Sequence, residues 1–400
     1  MENNNQKRWI ILVFVLLIVS NMLTFIFTNA GDLILGNKVI INADSKETAN
    51  GINKLLELKK QIGAEYYKNV DDETLMEGAI KGMFGSLNDP YSTYFTSKEF
   101  KTYMESATGV YEGVGIVVTE DANGFTTVIT PQKGTPADEA GIKTGDKIIK
   151  VNGEDVSTLG SEEVVMRVKG PADTTVDLSI ARGDEIIDLT LTRKAIEAKT
   201  VDSRMIGNTG YIQISEFTNN TTTDFKTQLD ALLAQNIKGL VIDLRGNPGG
   251  GVNEAVSIAD RLLGKTTVVY TVDKAGKRTD YNSDDTQSLQ LPMVVLIDGG
   301  SASSAEILAG ALQDTGAATL VGTKSYGKGI VQEVIGIKDG GGFKVTNSEY
   351  FTPNGNSINK KGLEPNVVIE ANDFMKNNVF TDAEDVQLQK SLETLGNGQQ

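Results

Sequence analysis

The sequence predicts a modular chain: an α/β layer domain, a smaller β-rich domain inserted ahead of it, a helical segment before both, and a membrane anchor at the N-terminus. Three observations carry this reading. From residue 196 to 372, β-like runs alternate with amphipathic helical patterns, the mark of an α/β layer. Residues 107–195 instead hold short β-runs punctuated by glycine, and residues 9–27 are almost wholly apolar.

The apolar run from Trp9 to Phe27 follows Lys7 and Arg8. At about 1.5 Å per residue its length approaches a hydrocarbon core of about 30 Å. Positive flanks stay in the cytoplasm, so a single-pass anchor would place the rest of the chain outside it, at the cell membrane. Residues 1–28 carry a net +1, leaving −16 on that remainder. The competing reading is a signal peptide whose cleavage (domain 1–30) releases a secreted protein, but Thr28-Asn29-Ala30 is a poor cleavage site.

Residues 45–106 read as helical, through Ile52, Leu55, Leu56 and Ile62 and then Leu75, Ile80 and Met83, up to the turn Asn88-Asp89-Pro90-Tyr91. A packing surface or homo-oligomer contact is the expectation there. In 107–195 the expected strands are Gly115–Val118, Thr126–Thr130, Lys147–Val151, Val176–Ile180 and Ile186–Leu191, with helices at Thr135–Ala140 and Ser161–Val168. In 196–372, Phe225, Leu229 and Leu232 mark a helix, Gly239–Leu244 and Met293–Ile297 buried strands, and Ala255, Ile258, Ala259 and Leu262 a second helix. A third helix runs from Ser303 to Gln313, and residues 373–400 form a tail with a weak helical pattern.

Composition excludes several chemistries. The chain has no Cys and no His, which removes thiolate nucleophiles, histidine-ligated metals and every imidazole base. No metal or cofactor is expected. With 38 basic against 53 acidic residues, nucleic acid is excluded as a partner for want of a basic footprint. A hydrolase with this composition must move protons with Lys, Asp or Glu.

Three glycine-bearing loops stand at expected strand ends. Arg245-Gly246-Asn247-Pro248-Gly249-Gly250-Gly251 can turn backbone N–H groups into one cavity, as an oxyanion hole requires, or can be a plain strand-to-helix turn. Gly299-Gly300-Ser301-Ala302-Ser303-Ser304-Ala305-Glu306 puts serines at a helix N-terminus. Ser303-x-x-Glu306 also spells a capping box, which leaves Ser303 readable as an ordinary N-cap. Gly322-Thr323-Lys324-Ser325-Tyr326-Gly327-Lys328-Gly329 approaches a phosphate-binding loop, yet Gly329 replaces the magnesium-binding hydroxyl and Ile330–Ile335 reads as a strand where a helix is required. In a chain without histidine, Lys328 is a natural base for a serine.

Taken together these motifs resemble the carboxyl-terminal processing peptidases, or tail-specific proteases. The resemblance rests on Arg245–Gly250, Gly300–Ile307, Ala311–Asp314, Gly327–Gln332 and Tyr350–Gly355, with Asp89-Pro90-Tyr91-Ser92 upstream. It implies a Clp-protease/crotonase-like α/β catalytic domain with an inserted PDZ domain, and a serine endopeptidase using a Ser/Lys pair. By motif, Ser303 aligns with the nucleophile, Lys328 with the general base 25 positions on, and Gln332 with the residue that hydrogen-bonds the lysine. Gly249, Gly250 and the N–H of Ser304 would form the oxyanion hole, and Arg245, Glu306 and Asp314 would support the site. Gly113-Val114-Gly115-Ile116, with the match from Pro136 to Gly153, resembles a PDZ carboxylate-binding loop, so the implied partners are proteins with accessible C-terminal tails. A PDZ scaffold that binds such tails without turnover is the alternative. The chain departs from the family pattern at Ser304-Ala305, Asn359 and Asn366, none of which aligns with the nucleophile or the base.

Overall fold

The computed structural model describes residues 44–121, 123–284, 286, 288–372 and 381–397. The expected anchor, residues 9–27, lies outside them; no helix among the described residues is long and apolar enough to cross a membrane. Two compact units are distinguished, 1–80 and 81–400.

In the first unit the helix Lys46–Glu65 starts at Ser45, whose hydroxyl accepts the N–H of Thr48. Its apolar side chains are not core: Leu56, Leu58 and Ile62 are all exposed. The next helix, Asp72–Gly85, starts at Asp71, whose carboxylate accepts from the N–H and hydroxyl of Thr74. The expected helical stretch is broken after it. Thr93–Phe95 is a strand, and Thr96 and Glu99 form a capping box that opens a third helix, Ser97–Thr108.

The inserted domain has strands Ile116–Glu120, Thr126–Pro131, Lys147–Val151, Thr175–Arg182 and Glu185–Thr192 in one antiparallel sheet, with the short strand Glu154–Asp155 beside Lys147–Val151. Val176, Leu178 and Ile180 alternate inward, as a period of two demands, and join Val128, Ile148 and Val164 in a separate core. The chain enters along Val110–Gly113 and leaves along Lys194–Glu197, and these two strands pair with each other. The domain is therefore closed at its base by its own connections, two residues beyond the expected boundary at 195.

Asp146 in this domain is fully buried and is held bidentately by Arg182 at 2.7 and 2.8 Å. Arg182→Ala would leave that carboxylate with the Lys143 N–H as its remaining partner. We expect a loss of about 2 kcal/mol, the usual scale for a charge-assisted hydrogen bond lost between a buried carboxylate and a partly exposed guanidinium. An unchanged urea midpoint in the variant would contradict this.

The α/β domain is built on a six-stranded sheet in the order Val201–Ile206, Thr209–Ile214, Gly239–Asp243, Met293–Ile297, Ala318–Gly322, Val367–Val368, parallel after its first pair. Gly239–Asp243 and Met293–Ile297 are buried at every position because both faces of the sheet are covered. Leu240, Ile242 and Val295 face a core made by the helices Thr221–Leu233, Val252–Leu262 and Ser304–Asp314. Val241, Val294 and Leu296 face the other way, against Leu388 and Leu395 of the helix Val386–Asn397. The segment read from sequence as a tail thus supplies one of the three layers. A second sheet carries Thr93–Phe95, Gly342–Phe351, Thr266–Asp273 and Arg278–Ser283, with Ile330–Gly336 also on Gly342–Phe351.

Candidate active site

The three glycine-bearing loops follow the parallel strands Gly239–Asp243, Met293–Ile297 and Ala318–Gly322 and meet at one end of the sheet, where open α/β sheets place their ligands. They are stitched together by main-chain hydrogen bonds: Ala302 N–H to Asn247 O at 2.9 Å and Tyr326 N–H to Ser301 O at 3.0 Å. Gly246 N–H adds a bond to the Asp298 carboxylate at 2.9 Å.

Of the three serines, two are committed elsewhere. The Ser301 hydroxyl is buried and donates to Leu244 O at 2.8 Å, and the Ser304 hydroxyl is buried and donates to Gly250 O at 2.8 Å. Ser303 instead lines an open cleft of about 580 Å³ that also exposes Gly250, Lys328 and Gln332. Ser303 is the N-cap of its helix and forms the expected capping box with Glu306, but its backbone has φ 54° and ψ −117°, outside the extended conformation of an ordinary N-cap. A non-glycine residue held there costs on the order of 1–3 kcal/mol, and such strain concentrates at functional positions.

Glu306 joins the serine to the lysine. It is fully buried, and its carboxylate accepts from Ser303 N–H and Lys328 N–H, both at 2.9 Å, from Gly327 N–H at 2.7 Å and from the Ser325 hydroxyl at 2.5 Å. Tyr350, also buried, points its hydroxyl at the carbonyls of Ser303 (3.1 Å) and Lys328. The Lys328 Nζ lies 5.1 Å from the centre of the Tyr91 ring. Burial pushes the Lys328 amine below the usual lysine range, and the charge of Lys344 adds to this; Glu306 and Asp89 oppose both.

In the glycine loop, Gly249 N–H is already taken by Asn247 Oδ1 at 2.8 Å, so it is not a free oxyanion donor. What Gly249 contributes is closeness: with φ at 104°, a Cβ there would sit 2.7 Å from the Cβ of Ser303. Gly250 is bracketed by Phe217, which donates to Gly249 O and accepts from Gly251 N–H. A trans peptide turns the Gly250 N–H opposite to Gly249 O, which is bound by Phe217 N–H. Of the three expected oxyanion donors, the Gly250 N–H and the Ser304 N–H at the first turn of its helix remain as candidates.

The remaining expected residues divide. Gln332 lines the cleft, but its amide nitrogen donates to Ile330 O and Thr346 Oγ1, at 3.4 and 3.3 Å, and not to Lys328. Arg245 is held by Asp243 and, from the C-terminal segment, by Asp385 at 2.7 and 3.0 Å and Gln387 at 3.0 Å. Burial works against the Arg245 charge, and the two carboxylates more than restore it. Asp314 is elsewhere: it accepts Asn354 N–H at 2.9 Å and lines a separate groove that contains none of Ser303, Lys328 or Gln332.

Some site residues carried no assignment from sequence. Asp89 accepts the Ser92 hydroxyl at 2.6 Å, Ser92 accepts Thr346 N–H at 3.0 Å, and Thr346 accepts from Gln332. The Asp89-Pro90-Tyr91-Ser92 turn thereby reaches the cleft; its presence among the family motifs was the available signal.

In the inserted domain, Gly113, Val114, Gly115 and Ile116 line a groove of about 360 Å³ with Ile148, Val164 and Val168 on its apolar side. Val114 O is bound by Ala137 N–H and Gly115 O by Gln132 N–H. The opposed amides, Gly115 N–H and Ile116 N–H, are thus turned to the other side of the loop. Gly115 sits at φ 80°, and a Cβ there would strike Thr135 at 2.4 Å.

Comparison with known proteins gives three family matches: peptidase family S41 over residues 208–369, a PDZ domain over 104–181, and the activating protease CtpB N-terminal domain over 18–99. The carboxy-terminal processing protease CtpA of Bacillus subtilis (strain 168) is 38% identical over 376 residues, 92% of this chain and 79% of that one. The carboxy-terminal-processing protease of Bartonella bacilliformis is 35% identical over 86% of this chain and 81% of its own. Among solved structures, one described as an S41 protease from Bacteroides fragilis NCTC 9343 has a TM-score of 0.54 at 15% identity, over 90% of this chain and 99% of the other, a likeness of fold.

Proposed function

The chain belongs to the carboxy-terminal processing proteases of peptidase family S41, serine proteases with a PDZ domain, and from that premise we propose that it cuts proteins whose C-terminal tails its PDZ groove has captured, with Ser303 as nucleophile and Lys328 as base. The observation that carries the reading is the single cleft holding both side chains, with Glu306 fixing the backbone of each. An exposed lysine titrates near 10.4 and is almost wholly protonated at neutral pH. Burial makes the free amine accessible, so Lys328 can take the Ser303 proton as the hydroxyl attacks the scissile carbonyl and return it to the leaving amine. The Gly250 and Ser304 N–H groups hold the oxyanion, while Gly249 lets the two loops approach. Gln332, anchored on Thr346, is then a neutral neighbour of the amine that does not raise its pKa.

Capture of the tail uses the free amides of Gly115 and Ile116 for the terminal carboxylate and the apolar side of the groove for the last side chain. The same proposal retains a membrane anchor over 9–27, an extracytoplasmic catalytic part and self-association through the N-terminal helical segment, on the strength of the sequence pattern.

The test uses one unfolded substrate protein with an apolar C-terminal residue, the same protein ending in Asp, and the same protein with an amidated C-terminus. We expect at least about tenfold faster cleavage of the first, the scale of one lost charge-assisted contact. Equal rates for all three would remove the tail-recognition step, and no cleavage of any would remove the protease reading.

A further inference from the structure

A second lysine shares the cleft. Lys344 lies in the strand Gly342–Phe351, opposite Thr93 on one side and Val334 on the other, and lines the same cavity as Ser303 and Lys328. Its side chain is half-buried, with Nζ 5.1 Å from the centre of the Tyr103 ring. Neither lysine forms a salt bridge among the described residues.

The two acids that act on this pair of cations, Glu306 and Asp89, are each held by other hydrogen bonds. Glu306 is held by its four donors, and Asp89 by Tyr91 N–H at 3.0 Å and the Ser92 hydroxyl at 2.6 Å. The other groups around Lys328 are phenols: Tyr91, pushed up to about 12 by its hydrogen bond with Tyr326 and by burial; Tyr326 itself; and Tyr350, raised by burial. The neighbours of Lys344 are Asp89 and Tyr103. Glu216 and Glu254 also line the cleft.

We propose that Lys344 is a positioning residue that acts through Lys328: a permanent ammonium whose repulsion keeps the neighbouring amine free to take the Ser303 proton. The two lysines are not equivalent in this. Burial and the charge of Lys344 lower Lys328 against the pull of Glu306 and Asp89, whereas Lys344 is lowered by burial and pulled back by Asp89. On this proposal the free amine belongs to Lys328, the base of the proposed mechanism, and the retained charge to Lys344. Two like charges in a half-dry cavity cannot both be cheaply ionised.

The inference rests on Lys328 being the base, and the experiment separates the two. The pH dependence of kcat/KM is measured for the full chain and for Lys344→Met, Lys344→Arg and Lys328→Ala on one protein substrate. Removing the Lys344 charge should move the acid limb up by about one pH unit, which lowers the rate at neutral pH about tenfold and leaves the plateau at high pH intact. Lys344→Arg, which keeps the charge, should hold the limb near its original place. A limb that stays put in Lys344→Met overturns the inference, whether the rate falls equally at every pH, as for lost packing, or KM alone rises, as for a lost substrate contact. Activity in Lys328→Ala overturns the base assignment itself.

Discussion

Lys328→Ala lowers kcat/KM for a protein substrate by a factor of about 10⁴ or more, and Ser303→Ala does the same. Without a neutral amine the serine hydroxyl has no acceptor for its proton, and the chain has no histidine to substitute. The two residues act on one step, so the double variant should be no slower than either single one. Lys328→Arg should be as inactive as the alanine variant, because a guanidinium keeps its proton throughout the working pH range. In the parent enzyme the sign of the pH dependence follows from the depressed lysine. In the proposed mechanism the active form is the deprotonated one, so kcat/KM should rise with pH through the titration of Lys328, which lies below the range of an exposed lysine. Steady-state rates on a single substrate, with thermal unfolding as a check of the fold, decide the matter. Cleavage at parental rates by a folded Lys328→Ala enzyme would sink the Ser/Lys reading.

Glu306→Ala has the second largest effect, and unlike the first it reaches stability as well as activity. Removing the carboxylate strands three backbone N–H groups and a hydroxyl in a buried place. Each orphaned donor costs about 1–3 kcal/mol before relaxation, and loss of a buried charged acceptor about 3–5 kcal/mol in all. The loops carrying Ser303 and Lys328 also lose their common anchor, and small misplacement of reacting groups costs about a hundredfold in rate. Glu306→Gln should recover part of the stability but not all, since one of its two arms becomes a donor facing donors. Urea unfolding of Lys328→Ala is the reference, because that variant changes the same site and leaves the four hydrogen bonds of Glu306 in place. If Glu306→Ala unfolds at the same midpoint as Lys328→Ala, the anchoring role is wrong.

Much of the architecture was legible because it is written in local periodicity. The alternation of Val176, Leu178 and Ile180 fixes a strand with one buried face, and the unbroken apolar runs at 239–243 and 293–297 fix strands buried on both. Zero histidines and zero cysteines left Lys, Asp or Glu to move the proton in a hydrolase, and the motif around Lys328 pointed to lysine before any contact was known. The breaks came where a segment's partner is far away in the chain. The helix Val386–Asn397 carries its apolar side chains at helical spacing, but nothing local says that they cover Val241, Val294 and Leu296. Likewise, Asp385 binds Arg245 across 140 residues.

The sequence by itself determined the elements, the chemistry available to them and the family motifs, since these depend on residue types and short spacings. The tertiary structure decided which serine is presented, which glycine amide is left to donate, and which way Gln332 turns. Those outcomes depend on where hydrogen bonds end: the Ser301 and Ser304 hydroxyls and the Gly249 amide are taken by distant or neighbouring carbonyls and amides once the loops close. Ser303, Lys328 and Lys344 line the cleft together, a juxtaposition that no local spacing in the sequence shows.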